Sequence, residues 1–164
     1  FQNFYKLLNL KSILMRDNEW LEQRLDQIWE LLFPDVEKKN NVKIYFKGRW
    51  KNKFGHIKML KNKETEIVIN GLFTHEKVPE NVIDSTIAHE LIHYMHGFQS
   101  PHQQRYKHPH AGGVVTRELK KRGFGHWLAQ EREFVQRHWF PLYKELMPNR
   151  KPRKKKSFFA RLLG

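Results

Sequence analysis

Apolar residues recur at steps of three and four near the start of the chain. After Asp17 or Asn18, either of which can cap a helix, the recurring positions are Trp20, Leu21, Leu25, Ile28, Trp29 and Leu32. This spacing places apolar side chains on one face of a helix. The run stops at Phe33-Pro34, because proline cannot continue a helix. We therefore predict an amphipathic helix that packs against the core.

Three short stretches with strand-like patterns follow. Residues 42–46 alternate apolar and polar positions, which is typical of a strand with one buried face. Residues 56–60 form a second extended stretch, and residues 66–70 are rich in the β-branched side chains of a buried strand. The turn-like residues 61–63 separate these two. Together the stretches predict a small, mostly antiparallel sheet.

Residues 80–96 have the pattern of a helix that is apolar on most sides. Few positions are polar apart from the histidines, Glu90 and the first turn, and Gly97 is a natural stop. Such a helix is buried, so His89, Glu90 and His93 are expected inside the domain. Buried polar groups need partners, and a metal ion satisfies two histidines together.

The C-terminal half is predicted to be a loop followed by helices. Residues 98–113 contain two prolines and two glycines and show little periodicity, as loops do. A short helix is expected from Val114 until Gly123 ends it, and a longer one from Trp127 to Pro141.

Composition narrows the classes of protein to which this pattern can belong. The chain has 164 residues, of which 39% are apolar, and this suits one domain with tails. We predict an N-terminal segment (residues 1–16), one domain (residues 17–148) and a tail (residues 149–164). The absence of cysteine excludes disulfides and cysteine-based zinc ribbons. No apolar run approaches the ~20 residues of a membrane span, and no signal peptide is recognised, so we expect a cytoplasmic protein.

Positive charge is concentrated towards the end of the chain. There are 31 Lys and Arg against 17 Asp and Glu, and residues 150–164 supply seven basic and no acidic residues. Such an excess attracts polyanions, which makes nucleic acid an expected partner. Phenylalanines and leucines near the end of the tail leave contact with an anionic membrane surface as the alternative.

A second basic stretch surrounds Trp50. Four cationic residues flank it, namely Lys47, Arg49, Lys51 and Lys53. Aromatic and basic residues together suit single-stranded nucleic acid, because bases stack on the ring and phosphates pair with the cations. In the alternative interpretation, Trp50 belongs to the core and the lysines are solvated residues on a strand edge, where their charge opposes pairing with another chain.

His89-Glu90-Leu91-Ile92-His93 is an HExxH motif. Residues four apart on a helix point the same way, so both imidazoles can bind one metal ion at roughly 2.0–2.1 Å. Glu90 lies one residue round the helix, where it can act as the general base that activates a water molecule. The chain has ten histidines, so the motif can also arise by chance. A non-enzymatic nucleic-acid-binding module is the corresponding alternative.

A catalytic zinc site needs a third protein ligand. The extended pattern HExxHxxGxxH is absent, because positions 96 and 99 hold His and Gln. Downstream glutamates and loop histidines are the remaining candidates: Glu118, Glu131, Glu133, His96, His102, His108 and His110. We favour His110, with His108 second, because the small residues 111–113 would let the backbone come close to a metal site.

The order of these features resembles the SprT-like (Spartan-type) metalloprotease domain. The resemblance covers roughly residues 18–125. It rests on a helix ending in LLFP, a turn at Phe54-Gly55-His56, the strand EIVIN, the segment VIDSTIAHELIHYMHG, and a later histidine and glycine that lead into a helix. We therefore expect an α+β, zincin-like domain in which a small antiparallel sheet packs against a buried HExxH helix.

The resemblance also implies a function. In that family the motif histidines and a later histidine bind Zn²⁺ and the motif glutamate is the catalytic base, roles that carry over to His89, His93, His110 and Glu90. It implies a zinc metalloendopeptidase acting on protein substrates, including proteins associated with DNA. A glutamate-ligand zincin peptidase is the alternative. The family's usual His-Gly pair appears here as His110-Ala111-Gly112, and a basic tail stands where bacterial relatives often have a cysteine zinc ribbon.

Overall fold

The computed structural model describes residues 16–149. The α-helices are α1 (Asn18–Leu32), α2 (Glu80–Met95), α3 (Val114–Lys121), α4 (Gly125–Phe134) and α5 (Phe140–Leu146), and the strands are β1 (Val42–Lys47), β2 (Gly55–Met59) and β3 (Thr65–Asn70). The predicted N-terminal segment and basic tail lie, apart from one residue each, outside the described residues. Within residues 16–149 no helix combines the length and the apolar character that crossing a membrane requires.

Helix α1 begins and ends close to its predicted bounds. The side chain of Asp17 accepts a hydrogen bond of 2.9 Å from the backbone N–H of Trp20, which satisfies one of the free donors of the first turn. The residues that α1 buries are Leu21, Leu25, Ile28 and Trp29. This face packs on β1 and on α2.

The sheet is mixed, so the prediction of an antiparallel sheet was wrong. Strand order is β1-β3-β2, with β2 antiparallel to β3 but β1 parallel to it. Val42 lies opposite Thr65 and Lys47 opposite Asn70. β2 and β3 form a hairpin, and β3 returns to lie beside β1 in the same direction. Alternation of apolar and polar residues identifies strands but does not reveal which strands are neighbours.

Gly55 is the first residue of β2 and not part of a turn as predicted. It lies where β2 approaches α2 closely, since a Cβ at this position would be 2.8 Å from Thr86 Cγ2 and 3.3 Å from Glu90 Oε1. A residue without a side chain therefore lets the strand pack directly against the motif helix.

Helix α2 is buried, as its apolar sequence predicts. It packs against α1, α3, α4, β2 and β3, and its fully buried residues include Val82, Ile83, Ile87, Leu91 and Ile92. Its buried hydroxyls bond to carbonyls one turn earlier, Ser85 to Asn81 and Thr86 to Val82. Gly97, with a φ of +78°, follows the helix as its predicted stop.

The C-terminal helical region extends beyond its predicted end at Pro141. A π-helical turn over Val135–Trp139 joins α4 to α5, and Pro141 lies in the first turn of α5. A proline is tolerated there because the π-helical turn directly before it already interrupts the regular i→i−4 hydrogen bonding. The buried indole of Trp139 donates a 2.7 Å hydrogen bond to the carbonyl of Lys51, which fixes this region against the β1–β2 loop.

Candidate metal centre

Three imidazole rings converge beside α2. His89 and His93 lie one turn apart on this helix, and His110 approaches them from the loop that follows. His110 Nε2 is 3.0 Å from His89 Nε2 and 3.2 Å from His93 Nε2. Among residues 16–149, this is the one group of three or more possible ligands whose donor atoms lie close enough for one metal ion.

Two glycines turn the chain between His110 and α3. Gly112 and Gly113 have φ values of +57° and +70°, a region that glycine adopts without steric cost. A Cβ at Gly112 would meet nothing within 4 Å. The glycines therefore serve backbone conformation and not, as predicted, a close approach to the metal site. The guanidinium of Arg117 donates to the Gly112 carbonyl, which joins the turn to α3.

Burial favours the neutral form of both helix histidines. Desolvation, with a further contribution from His110, lowers the pKa of His89 to about 4. Desolvation and the neighbouring imidazoles lower the pKa of His93 to about 3. A neutral imidazole offers the lone pair that a metal ion requires, so at neutral pH these two rings need not lose a proton before binding one.

The donor atoms fit a zinc ion. Zn–N bonds of ~2.0–2.1 Å at tetrahedral angles separate ligand atoms by about 3.3 Å, and the separations of His110 Nε2 from the other two Nε2 atoms are 3.0 and 3.2 Å. Three protein ligands with a free fourth position are the usual arrangement of catalytic zinc. His93 Nδ1 is buried and has no hydrogen-bond partner within residues 16–149, so packing, and not a second hydrogen bond, orients this ring.

Glu90 lines the same cavity as the three histidines, which has a volume of about 310 Å³. Its side chain is buried, with 5% of the residue exposed. Burial raises the pKa of Glu90 to about 8, and the positive charge of Lys53 opposes this shift only in part. The carboxyl group is therefore a stronger base than an exposed glutamate would be.

The other predicted ligands lie in different environments. Glu118 pairs with Arg122 and Glu133 with Arg137. Burial raises the pKa of Glu131. His102 contacts the Glu37 carbonyl and His96 the Tyr106 ring, while His108 is exposed. Of all the candidates, the structure thus brings together His89, His93 and His110. That these three bind a metal remains a prediction.

Sequence reasoning missed the wall of the cavity that faces the histidines. Strand β2 and the loop between α2 and His110 form it, through Gly55, His56, Ile57, Phe98, Gln99 and Pro109. The extended pattern of residues 56–60 predicts a strand, but nothing in that pattern shows that the strand lies at the edge of the sheet and borders the site.

A comparison with family models identifies the relatives of the chain. The model described as the SprT-like family matches residues 21–117, which is more than half of the chain and includes the histidine cluster and Glu90. The chain belongs to the SprT-like family. The predicted resemblance is thereby confirmed, and the family suggests a zinc-dependent, protease-like domain. Comparisons of this SprT-like protein with curated proteins and with solved structures give no match.

Proposed function

We propose that this SprT-like protein is a zinc-dependent endopeptidase with a zincin-like active site. One observation carries the proposal: three imidazole nitrogens converge on a single point in a cavity that also contains the buried carboxyl group of Glu90. In this proposal His89, His93 and His110 hold the zinc ion, and Glu90 is the general base.

Zinc, when bound, would polarise the carbonyl of the scissile peptide and acidify a water molecule. Glu90 would accept a proton from that water on a carboxylate oxygen and then donate it to the leaving amine. Burial raises the pKa of Glu90 in the zinc-free protein, whereas the positive charge of a bound zinc ion would lower it again and favour the carboxylate form that accepts the proton.

The open edge of β2 indicates how a substrate would lie in this cavity. β2 is at the edge of the sheet and pairs only with β3 among the described strands. Its residues line the cavity together with the histidines. An extended peptide can add to such an edge through main-chain hydrogen bonds. The expected substrates are therefore extended or locally unfolded segments of proteins.

Zinc analysis combined with the Glu90→Gln variant tests the proposal. The purified full chain should contain about one zinc ion per molecule and cleave unfolded casein. The Glu90→Gln variant should retain zinc but lose cleavage, because the near-isosteric amide cannot accept the proton. Equal loss of zinc in Glu90→Gln and His89→Ala would contradict the role of Glu90. A wild-type protein that binds no zinc would favour the non-enzymatic binding module.

A basic and aromatic surface beside the cavity favours nucleic acid as a second partner. The Trp50 ring rests on Gly48, where a Cβ would lie only 2.4 Å from the indole. Lys53 Nζ lies 4.5 Å from the Trp50 ring centroid, and Lys51 Nζ lies 5.3 Å from that of the exposed Phe140. Trp50 is half-buried, which combines features of both interpretations of this stretch.

Asn70 at the end of β3 fixes the β1–β2 loop that carries this surface. The side-chain amide of Asn70 donates to the carbonyls of Trp50 and Lys53 at 2.7 and 2.9 Å. We propose that single-stranded nucleic acid binds here, with a base stacked near Trp50 and the lysines against phosphates. Because His56 both contacts Trp50 and lines the cavity, a protein attached to that nucleic acid would lie near the site.

A further inference from the structure

The pairing of β2 with β3 determines which backbone groups of β2 face outward. Hydrogen bonds from Asn70 N to Phe54 O and from Leu60 N to Glu64 O lie at the two ends of the ladder. Since hydrogen-bonded pairs alternate along an antiparallel ladder, the even-numbered residues of β2 point their N–H and C=O groups at β3. The backbone groups of Gly55, Ile57 and Met59 therefore point to the open edge.

One of these outward groups is already occupied. Gln99 Oε1 accepts a 2.9 Å hydrogen bond from the N–H of Met59. Within residues 16–149, no comparable bond engages the outward N–H groups of Gly55 and Ile57. The open part of the edge therefore ends at Met59, on the side where Gln99 lines the cavity.

The position of Gln99 is fixed independently of its side chain. Its backbone has a φ of +57°, which is uncommon for a residue other than glycine and marks a sharp turn. Its carbonyl accepts a 3.0 Å hydrogen bond from Thr65 Oγ1 in β3. The turn after α2 is thereby attached to the sheet, with the Gln99 amide beside Met59.

We propose that Gln99 is a specificity-determining residue that ends the substrate-binding edge of β2. An extended peptide would pair with Gly55 and Ile57, but the Gln99 amide would keep it from the N–H of Met59. The inference rests on the proposed endopeptidase function. Its consequence is a limit on length: residues of the substrate that extend past Ile57 towards Met59 gain no hydrogen bond from the Met59 N–H.

A length series of peptides tests this limit. The probes are peptides of alternating alanine and threonine, four to ten residues long. They are titrated, with NMR detection, into zinc-loaded Glu90→Gln protein so that none is cleaved. With Gln99 present, affinity should stop rising once the peptide covers Gly55 and Ile57. In the Glu90→Gln/Gln99→Ala protein, two further residues should strengthen binding about threefold to tenfold, as one added hydrogen bond would.

Three further variants separate the amide from the fold of the loop. Gln99→Asn suits the left-handed backbone but is one methylene too short, so it should behave like Gln99→Ala. Gln99→Glu keeps an acceptor oxygen and should retain the plateau. Gln103→Ala removes the same side chain elsewhere in the loop, at an exposed position, and should leave the length dependence unchanged.

Amide hydrogen exchange gives a readout that needs neither peptide nor zinc. The Met59 N–H should be protected in the wild type and exchange faster in Gln99→Ala, whereas the Ile57 N–H should exchange readily in both. Equal exchange at Met59 in the two proteins, or the same length dependence with and without the Gln99 side chain, would overturn the inference. Absence of peptide binding to either protein would also overturn it, whereas zinc and cleavage assays judge the endopeptidase proposal separately.

Discussion

Arg24 of α1 holds the carboxylate of Asp84 in α2 through two hydrogen bonds, each 2.6 Å long. Asp84 is only 1% exposed, so water cannot replace the guanidinium as the partner of this charge. The hydrogen bond and charge of Asp84 in turn raise the pKa of Arg24. The pair therefore joins the two helices as a fixed cross-link.

Removal of Arg24 should destabilise the protein more than removal of the whole pair. Arg24→Met leaves a buried carboxylate without a partner and should lower the free energy of unfolding by about 3 kcal/mol in urea denaturation. The double variant Arg24→Met/Asp84→Leu buries no charge and should recover most of that loss. A double variant as unstable as Arg24→Met would show that shape, and not charge, matters at this position.

The third zinc ligand can be assigned by comparing three single variants. His110→Ala should weaken zinc binding by more than about 100-fold, the upper range for losing a residue that merely supports a ligand, in competition with a chromophoric chelator. Glu118→Ala should bind zinc normally, because Glu118 is engaged with Arg122, and so should His108→Ala. Zinc loss in Glu118→Ala with retention in His110→Ala would instead establish a glutamate-ligand site.

Zinc-free protein should lose stability between pH 6.5 and 8. The pKa of Glu90 is about 8 in the folded protein against about 4.5 in the unfolded chain, so the folded state holds an extra proton in this range. Stability from this proton is fully present below pH 4.5 and is lost as the pH rises through 8. From pH 6.5 to 8 the loss should be about 2 kcal/mol.

The matched control for this pH dependence is Glu90→Gln. Its side chain at position 90 does not titrate, so this variant should lack the decline in stability. His89 and His93 titrate in the opposite sense, since their folded pKa values of about 4 and 3 lie below the usual value, and they change only below about pH 6.5. Thermal unfolding at several pH values measures the difference. Parallel curves for the two proteins would contradict a buried, protonated Glu90.

Nucleic-acid binding should respond differently to two changes. Trp50→Ala removes a stacking surface and should weaken binding of single-stranded DNA about tenfold, with little change in salt dependence. Deleting residues 150–164, which carry seven basic residues, should weaken binding uniformly across sequences and flatten its salt dependence, because fewer counterions are released. Unchanged DNA binding with lost binding to anionic vesicles would assign the tail to a membrane surface.

Local patterns account for the elements that the sequence predicts well. The apolar spacing of α1 and its cap at Asp17, the β-branched run of β3 and the nearly all-apolar α2 each depend on neighbours in sequence. The parallel pairing of β1 with β3 joins residues far apart in the chain, and no local pattern encodes it. The prediction that the last helix ends at Pro141 was wrong, because a proline ends a helix only where its N–H would have to make a helical hydrogen bond.

The candidate site likewise contains residues that local sequence patterns predict and residues that they do not. Helical spacing places His89 and His93 on one face of α2, and burial of that helix follows from its composition. His110 was favoured among seven candidates because small residues follow it, yet those glycines serve the backbone turn, and the loop that carries it has no periodic pattern. The contribution of Gln99 to the cavity could not be predicted from the sequence. It depends on a left-handed backbone at Gln99 and on a contact with Met59 of β2, forty residues earlier in the chain.

The strand order β1-β3-β2 has a consequence for how the domain folds. β2 and β3 are joined by a short turn and can pair on the microsecond timescale of hairpins. Val42 and Thr65 are instead separated by the rest of β1, by β2 and by the connections on either side of β2. Closing that longer loop costs more chain entropy, so β1 is expected to join last, with φ-values lower at Ile44 than at Val68. The wall of the metal cavity would then already exist in the folding transition state, before the other edge of the sheet has formed.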